Sequence, residues 1–394
     1  EEWIEPFKTE WENVKRRRLE AVTPIQADWV RRRKLAVKMR MILELKRDGR
    51  RKGRLVLQGF MEPKWWSSGP TDSPVMATSA IRAMVFRAGR KGWLLSSVDL
   101  DVAFLQANGF KPEEAKRWVS FKPHPGLPAA IYRLTGPLYG SKDAWMRWYN
   151  TIAPWFVEQG FTQGKNDPCV FTHEEKGLVV GMHVDDLLVS GSKEDTEWFY
   201  GALGERFECK EPSYLLPETP MVFVGFRISS EMTGGVEHRY MDCEEDVVKF
   251  LKKVGYEGGR TLKCPMPDPA EVVSDTTELG EADAQEYRSR VGSLNYYVQT
   301  VRFDLAHAVS RLGQFSARPT VGAWKSLRRV VTYLASTKGF RIGGGLKEGE
   351  DVFKVYTDSD HAGDRALTKR SQTGVLVMMN GVPVMWKSAR QPST

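Results

Sequence analysis

Cysteine is scarce in this chain of 394 residues, which contains four. The cysteines lie far apart, and no two form a Cys-x-x-Cys pair. This spacing excludes a zinc knuckle and argues against a disulfide scaffold, so we expect a reduced intracellular protein. Long uncharged apolar runs and a secretory signal are also missing, so we expect no membrane partner. The first residue is Glu1 rather than Met, as expected for a piece of a longer reading frame.

An excess of either charge is lacking over most of the chain. The first 60 residues hold 17 of the 58 Lys and Arg and 9 of the 50 Asp and Glu, a net charge of +8, and the other 334 residues hold 41 of each. The basic residues cluster in 15–18, 31–34 and 47–54. Because Lys and Arg release counterions when they neutralise phosphates, this clustering favours a nucleic-acid partner. A solvated helix face or a localisation signal is the alternative.

What the chain does contain is a pair of adjacent acids inside an apolar segment, residues 177–191. Two β-branched-rich runs flank Asp185 and Asp186, which predicts a tight β-hairpin with the acids at its tip. Neighbouring carboxylates repel, so a divalent cation would help to keep both ionised. The alternative is ordinary turn chemistry on a solvated loop. Asp99, at the end of an apolar strand upstream, could complete a three-carboxylate cluster for two metal ions, as in nucleotidyl transfer.

Several motifs follow one another in a characteristic order. They are Lys52-Gly-Arg-Leu-Val-Leu-Gln-Gly-Phe, Thr71-Asp-Ser-Pro-Val, Asp99-Leu-Asp-Val-Ala-Phe-Leu, Leu138-Tyr-Gly-Ser-Lys-Asp-Ala, Asp167-Pro-Cys-Val and Tyr356-Thr-Asp-Ser-Asp. In this order they resemble the reverse transcriptase of copia-type LTR retrotransposons, which is encoded within a Pol polyprotein. The last motif resembles the opening strand of a retroelement RNase H domain.

The resemblance implies an α+β fold of the right-hand polymerase type, with fingers, an antiparallel palm sheet backed by helices, and a thumb. The predicted segments are a basic helical extension (1–40), fingers and palm (41–215), a thumb-like region (216–264), an acidic linker (265–285), a helical connection (286–345) and a truncated RNase H-like α/β piece (346–394). We expect residues 223–228 to be one strand that grips the primer. Residues 287–338 should form a helical pair carrying candidate duplex contacts at Arg302, Arg311, Arg328 and Arg329.

The activity implied is RNA-directed DNA polymerisation from dNTPs on an RNA or DNA primer–template. Asp99, Asp185 and Asp186 would be the catalytic residues and would hold two Mg²⁺ ions, which Mn²⁺ could replace. The implied nucleotide-binding residues are Lys52, Arg54, Leu100, Phe104, Tyr139, Gly140 and Lys142. The implied primer-binding residues are His183, Phe223 and Gly225. Other Pol and Gag segments would be partners, in a cytoplasmic retroelement particle and in the nucleus.

Two residues have roles that come from the resemblance alone. Phe104 lies five residues after Asp99, where the family carries an aromatic ring that collides with a ribose 2′-hydroxyl; the alternative is a core Phe. Asp358 matches the first catalytic carboxylate of RNase H. In relatives the other RNase H acids follow the segment that ends here at residues 391–394, so we expect no RNase H activity.

The chain also departs from the family. Asp143 stands where the family usually has Gln, Trp145 where it has Pro, Met146 where it has Arg, and His183 where it has Tyr. These positions lie close to where template, nucleotide and primer should bind. They leave open a decayed retroelement remnant that binds nucleic acid without polymerising it. An unrelated two-metal nuclease is a third possibility.

Overall fold

The computed structural model describes residues 2–46, 49–66, 69–122, 129–266, 272–345, 351–363 and 368–392, which form an α+β fold, as predicted. The α-helices are α1 (Ile4–Arg18), α2 (Pro24–Arg32), α3 (Thr78–Arg90), α4 (Ala103–Gln106), α5 (Ala144–Glu158), α6 (Lys193–Arg206), α7 (Glu244–Lys253), α8 (Glu281–Thr300), α9 (Ala306–Gly313) and α10 (Val321–Ser336). Short 3₁₀ helices cover Gly59–Met61, Lys64–Trp66 and Phe303–Leu305.

The strands are β1 (Leu19–Ala21), β2 (Ala36–Leu45), β3 (Arg51–Leu57), β4 (Leu94–Asp99), β5 (Arg117–Phe121), β6 (Ala130–Leu134), β7 (Thr162–Gln163), β8 (Val170–His173), β9 (Leu178–His183), β10 (Asp186–Gly191), β11 (Ser213–Tyr214), β12 (Met221–Phe223), β13 (Phe226–Thr233), β14 (Val236–Asp242), β15 (Arg341–Gly345), β16 (Phe353–Ser359), β17 (Gln372–Met379) and β18 (Val382–Arg390). The chain divides into two compact units. The first is Glu1–Met76, Val98–Leu187 and Glu197–Glu211; the second is Ala77–Ser97, Leu188–Thr196 and Pro212–Thr394.

A five-stranded sheet in the order β1-β6-β5-β2-β3 forms one half of the first unit. β2 and β3 make the basic hairpin that the sequence predicts, with Met39 opposite Leu57. β2 runs parallel to β5, so this sheet is mixed rather than purely antiparallel. One face buries a continuous apolar core that includes Val37, Leu55 and Val119.

The amino-terminal helix α1 is part of that core rather than an appendage. Val14 is fully buried in the core cluster. The buried Glu10 carboxylate accepts a hydrogen bond from the Leu55 amide of β3 at 2.9 Å. Gly53 of β3 faces the carbonyl of Pro6 so closely that a Cβ there would overlap with it. α1 therefore helps to fix the hairpin that carries the predicted phosphate ligands.

The other half of the first unit carries the predicted acid hairpin. β7, β8 and β9 pair antiparallel, with Val170 opposite Gly181. Helix α5, whose interior residue Pro154 does not interrupt it, buries one face against these strands. There the ring of Phe156 stacks on that of Phe171 with centroids 4.3 Å apart. Both faces of β9 are buried, so its position is set by packing on two sides.

The second unit contains an antiparallel sheet β12-β13-β14-β15, a three-stranded antiparallel sheet β16-β17-β18, and helices α8, α9 and α10. Arg341–Gly345, which we assigned to the connection, pairs with β14 of the thumb-like region. Asn380 and Gly381, both with positive φ, make the tight turn predicted between β17 and β18.

Two expectations about the second unit are wrong. Residues 223–228 are not one strand, because Val224 (φ +48°) and Gly225 (φ +81°) form a tight turn between β12 and β13. Residues 287–338 hold three α-helices rather than two, because one helix ends at Thr300 and the next ends at Gly313.

The proposed duplex contacts at Arg302 and Arg311 are also corrected, since both side chains are buried. Arg302 is fully buried and makes hydrogen bonds to both carboxylate oxygens of Asp304 and to the hydroxyl and carbonyl of Thr337. The internal pairing leaves Arg302 no surface for a phosphate.

Parts of several predicted segments lie outside the described residues. These are residue 1 of the basic extension, 47–48, 67–68 and 123–128 of the fingers and palm, 267–271 of the acidic linker, and 346–350, 364–367 and 393–394 of the RNase H-like piece. Among the described residues, no helix combines the length and the hydropathy that a bilayer crossing requires.

Candidate active site

The tip of the β9–β10 hairpin places the two adjacent acids. β9 ends at His183, and β10 begins at Asp186, so Val184 and Asp185 form the turn. Val184 has φ +65°, a left-handed conformation that is unfavourable for a β-branched residue. The indole Nε1 of the fully buried Trp148 donates a hydrogen bond to the Val184 carbonyl at 2.8 Å. Helix α5 therefore holds the tip in a strained conformation.

We expect Trp148→Phe to lower the free energy of unfolding by about 1–2 kcal/mol, because the Val184 carbonyl loses its donor while most of the ring packing stays. Urea denaturation followed by circular dichroism measures the change. Trp65→Phe is the matched control, since the Trp65 side chain is 53% exposed. Equal unfolding midpoints for the Trp148 variant and the wild type would show that this hydrogen bond does not stabilise the tip.

The third predicted acid lies beside this tip. The amide of Leu100, the residue after Asp99, donates a hydrogen bond to the Asp185 carbonyl at 2.8 Å. On its other side the Asp99 carbonyl accepts from the Lys210 amide at 3.0 Å. The backbone thus brings Asp99 next to the Asp185–Asp186 pair, although 86 positions separate Asp99 from Asp185 in sequence.

Lys210 is a residue of this site that the sequence analysis missed. Its ammonium group forms an ion pair with the Asp99 carboxylate and lies 3.8 Å from an oxygen of Asp101. Burial lowers the pKa of Lys210, and the positive charges of Lys46, Lys52 and Arg50 lower it further. The only signal in the sequence was an isolated Lys after the α6 segment, which could not reveal its distant partner.

The acids do not form a closed metal cage in this arrangement. Within the described part of the chain, no group of three or more His, Cys, Asp or Glu side chains is placed to hold a metal ion. The donor set nevertheless suits a hard divalent cation, because Asp99, Asp185 and Asp186 supply carboxylate oxygens from adjoining segments. The metal role of these three residues stays a prediction.

The electrostatics of the acid pair favour a cation. Burial raises the pKa of Asp186 to about 6, and the neighbouring charge of Asp185 adds to this rise. A divalent ion would offset both effects, since it stabilises the ionised carboxylates. His183, the last residue of β9, has its pKa lowered by burial and partly restored by Asp185. Its Nδ1 is buried and makes no hydrogen bond within the described residues.

Phe104 lies on the short helix α4, just after the Asp99 segment, and is 5% exposed. Its ring meets the ring of Tyr139 at 5.1 Å and that of Trp145 at 4.6 Å, both edge-on. The buried Arg18 of α1 donates hydrogen bonds to the Phe104 carbonyl at 3.1 Å and to the Ala107 carbonyl at 2.6 Å. The sequence predicts residues 1–40 as a basic helical extension, whereas in the structure α1 also anchors this short helix.

The predicted nucleotide-binding loop after β6 is fixed by backbone contacts. Gly140 has φ +83°, and a Cβ there would overlap with the Leu57 carbonyl. The Tyr139 carbonyl accepts a hydrogen bond from the Leu57 amide at 2.7 Å. Lys142 turns back to Glu62, with its amide donating to the Glu62 carboxylate at 3.1 Å. The fold therefore requires a glycine at residue 140, independently of any part that this residue plays in nucleotide binding.

Asp143, one of the departures from the family pattern, is buried with a charged partner. Arg117, which is fully buried, donates to both Asp143 oxygens at 3.0 and 2.6 Å, and Arg147 donates to one of them at 2.7 Å. Arg147 also pairs with Glu114. Burial raises the pKa of Asp143, but the hydrogen bonds and charges of Arg117 and Arg147 outweigh this and lower it overall.

The remaining residues predicted to bind nucleotide or primer lie in several different parts of the chain. Arg54 forms a surface ion pair with Glu44 at 2.7 Å. Burial lowers the pKa of Lys52, as do the charges of Lys46 and Arg54, so these basic groups lie close together. In the second unit, Phe223 is buried at the end of β12, next to the turn at Gly225.

Asp358 also lies in the second unit, near the end of β16, where it is exposed and accepts a hydrogen bond from the Ser359 amide at 2.9 Å. Its correspondence to an RNase H carboxylate stays a prediction.

Comparison with known proteins covers most of the chain. A family described as "Reverse transcriptase (RNA-dependent DNA polymerase)" matches residues 10–264. The retrovirus-related Pol polyprotein from transposon RE2 of Arabidopsis thaliana is 30% identical over 358 residues, 87% of this chain and 23% of that protein. The corresponding polyprotein from transposon TNT 1-94 of Nicotiana tabacum is 27% identical over 91% of this chain and 27% of that protein. This chain therefore spans about a quarter of the length of these relatives.

Proposed function

Because this chain belongs to the reverse transcriptase family, and its relatives are Pol polyproteins of copia-type retrotransposons, we propose that it is an RNA-directed DNA polymerase. Its substrates would be dNTPs and a primer annealed to an RNA or DNA template. The observation that carries the proposal is the hydrogen bond from the Leu100 amide to the Asp185 carbonyl, which sets Asp99 beside the paired acids. Other Pol and Gag segments are the proposed partners, in a cytoplasmic particle and in the nucleus.

In the proposed reaction, the primer 3′-hydroxyl loses its proton to water and its oxygen bonds to the α-phosphorus of the dNTP. The bond from that phosphorus to the oxygen of the β-phosphate breaks, and pyrophosphate leaves. Two bound Mg²⁺ ions would lower the pKa of the hydroxyl and stabilise the charge on the leaving group. Asp99, Asp185 and Asp186 are the residues that would hold them. Before it can bind a metal ion, Asp99 has to exchange its ion pair with Lys210. The ion pair with Lys210 compensates the charge of Asp99 when no metal is bound.

The basic residues around the acids supply the phosphate-binding side of the site. Lys46, Arg50 and Lys52 lie close enough to Lys210 to lower its pKa. Such a cluster suits a triphosphate or a template backbone, because phosphate oxygens accept charge-assisted hydrogen bonds from Lys and Arg. We assign Lys52 and Arg54, on β3, to these contacts. The Tyr139–Lys142 loop would bind the nucleotide from the neighbouring segment.

The finer architecture is part of the same proposal. The β2–β3 hairpin corresponds to fingers, the β8–β9–β10 region with α5 to the palm, and α7 to a thumb. His183 would contact the primer terminus, and the turn at Phe223 and Gly225 would contact the primer strand. Residues 346–394 would be an RNase H-like piece.

One observation favours a second candidate function, a Pol remnant that binds nucleic acid without catalysis. The Asp99 carboxylate is paired with Lys210, and the described residues hold no preformed three-ligand metal group. If Lys210 does not release Asp99, the basic surface still binds nucleic acid but no chemistry follows.

Primer extension on poly(rA)/oligo(dT) with dTTP and Mg²⁺ tests the proposal. We expect incorporation that depends on both dTTP and the divalent ion. Binding of the primer–template without incorporation would support the remnant and overturn the polymerase. Release of nucleotides from the primer in the absence of dTTP would indicate a two-metal nuclease instead.

A further inference from the structure

Residues 99–101 and 208–210 form a short antiparallel pair beside the hairpin tip, centred on a β-bridge. Two backbone hydrogen bonds of 3.0 Å, one on each side of that bridge, close the pair. In this register Lys210 lies directly opposite Asp99, and side chains that lie opposite each other in an antiparallel pair are neighbours. The register therefore places the Lys210 ammonium on the Asp99 carboxylate, with which it forms an ion pair.

The same register creates an unfavourable contact at the other end of the pair. It places Glu208 opposite Asp101, and like charges directly opposite each other are destabilising. Arg17, near the end of α1, offsets this repulsion, because its Nη2 donates to both Glu208 oxygens at 2.6 and 2.8 Å. The Arg17 Nε donates to the side-chain oxygen of Asn13 at 3.1 Å, which fixes the guanidinium on its own helix. The amino-terminal helix thus helps to hold the pair in register.

The side chain of Gln106 binds the pair from a second direction. Its Oε1 accepts a hydrogen bond from the Glu208 amide at 2.8 Å. Its Nε2 donates to the carbonyls of Asp101 at 2.6 Å and of Glu208 at 2.9 Å. Gln106 belongs to α4, which the buried Arg18 holds through two backbone carbonyls. The carboxamide is therefore a fixed bridge between the two segments.

We propose that Gln106 and Arg17 are positioning residues, which keep the Lys210 ammonium at Asp99, where it competes with a divalent ion. This inference rests on the proposed metal centre and extends it to the residues that set its affinity for metal. The metal-free protein then carries its own counter-ion. The clamp formed by Arg17, Gln106 and Glu208 determines how readily a metal ion replaces that counter-ion.

The clamp acts on Lys210 more than on Asp99. The Asp99 segment is also fixed on its other side, where the Leu100 amide donates to the Asp185 carbonyl at 2.8 Å. Loosening the clamp should therefore free Lys210 while Asp99 stays beside the hairpin tip.

Isothermal titration with Mn²⁺ measures this competition without catalysis. We expect Lys210→Met to bind Mn²⁺ about tenfold more tightly than the wild type, because a competing positive charge next to the metal ligand is removed. Gln106→Leu, which changes no charge, should bind Mn²⁺ about threefold more tightly, because Lys210 is held less firmly. Arg17→Gln should act in the same direction. Its side chain is 20% exposed, so it can be changed without disturbing the core.

Arg16→Gln is the matched control for the change in charge. Arg16 is an exposed arginine of the same helix, so this variant loses the same charge as Arg17→Gln but keeps the clamp. Urea denaturation followed by circular dichroism establishes that each variant is folded. A substitution that merely damaged the site would weaken Mn²⁺ binding, so the direction of the change separates a positioning role from a structural one.

The outcomes separate this inference from the proposed function. If Lys210→Met gains no affinity for Mn²⁺, or if Gln106→Leu and Arg17→Gln bind no more tightly than Arg16→Gln, the inference is overturned and the metal centre stands. If the clamp variants bind Mn²⁺ more tightly but the wild type extends no primer, the polymerase proposal fails and this inference stands. If neither the wild type nor Lys210→Met binds Mn²⁺, the proposed metal centre fails and this inference fails with it.

Discussion

Replacing Asp185 with Asn should reduce primer extension by on the order of a thousandfold or more while the variant still binds primer–template. Asn has nearly the shape of Asp but lacks the negative charge that a divalent ion needs. Asp185 lies in the hairpin turn and its backbone carbonyl accepts the Leu100 amide, so the substitution leaves that hydrogen bond intact. The expected loss is therefore one of chemistry rather than of fold.

Two measurements on the same preparation separate those effects. Primer extension with dTTP reports catalysis, and fluorescence anisotropy of a labelled primer–template in EDTA reports affinity. Asp28→Asn is the matched control, because the side chain of Asp28 is exposed and pairs with Arg32 along its own helix. Normal extension by the Asp185 variant would contradict the assignment of this residue as a metal ligand.

The second large effect is expected at the buried ion pair beneath α5. Asp143→Asn should lower the free energy of unfolding by about 3–5 kcal/mol, because it leaves the fully buried Arg117 guanidinium without its counter-charge. Glu20→Gln is the control. It removes an ion pair with Arg133 in which both side chains are exposed, and such pairs contribute about 0–1 kcal/mol. Urea denaturation of both variants against the wild type gives the comparison.

The same pair predicts a dependence on pH. The Asp143 pKa lies below its ordinary value in the folded protein, so its contribution is complete above the unfolded pKa of about 3.9 and is lost as the pH falls through the folded pKa. The wild type should therefore lose stability below about pH 4 more steeply than Asp143→Asn does. If both proteins lose stability in parallel, Arg117 does not stabilise the ionised carboxylate.

This result would also change how one departure from the family is interpreted. The sequence presents Asp143 as an acid in place of Gln near the nucleotide, which suggests decay. In the structure the Asp143 carboxylate forms ion pairs with Arg117 and Arg147 in the interior, so it does not face a phosphate. The departure is thus accommodated by an internal partner that a motif comparison does not reveal.

The features that were predicted correctly from the sequence are those that depend on local sequence patterns. The acid hairpin, helix α5 and the turn at Asn380 and Gly381 follow from apolar periodicity and turn residues within about 20 positions. The placement of Asp99 beside Asp185 required the family resemblance, because no local pattern specifies which strands become neighbours.

The features that were missed depend on contacts between distant positions. Lys210 pairs with Asp99 across 111 positions, and neither residue carries a local signal of the other. The sequence suggested that Arg302 is a surface cation. Its side chain can be buried because it donates hydrogen bonds to a nearby carboxylate and to the hydroxyl of Thr337. Val224 is a β-branched residue that normally favours a strand, so the turn before Gly225 was unexpected.

The central claim is that Asp99 and the Asp185–Asp186 tip together supply the ligands of the proposed two-ion metal centre. Titration of the protein with Mn²⁺, followed by electron paramagnetic resonance of the free ion, tests it without any need for catalysis. We predict that Asp99→Asn and Asp185→Asn each weaken Mn²⁺ binding by about tenfold or more, since each removes a charged ligand. If Asp99→Asn binds Mn²⁺ as the wild type does, Asp99 is no part of the site, and the account is contradicted.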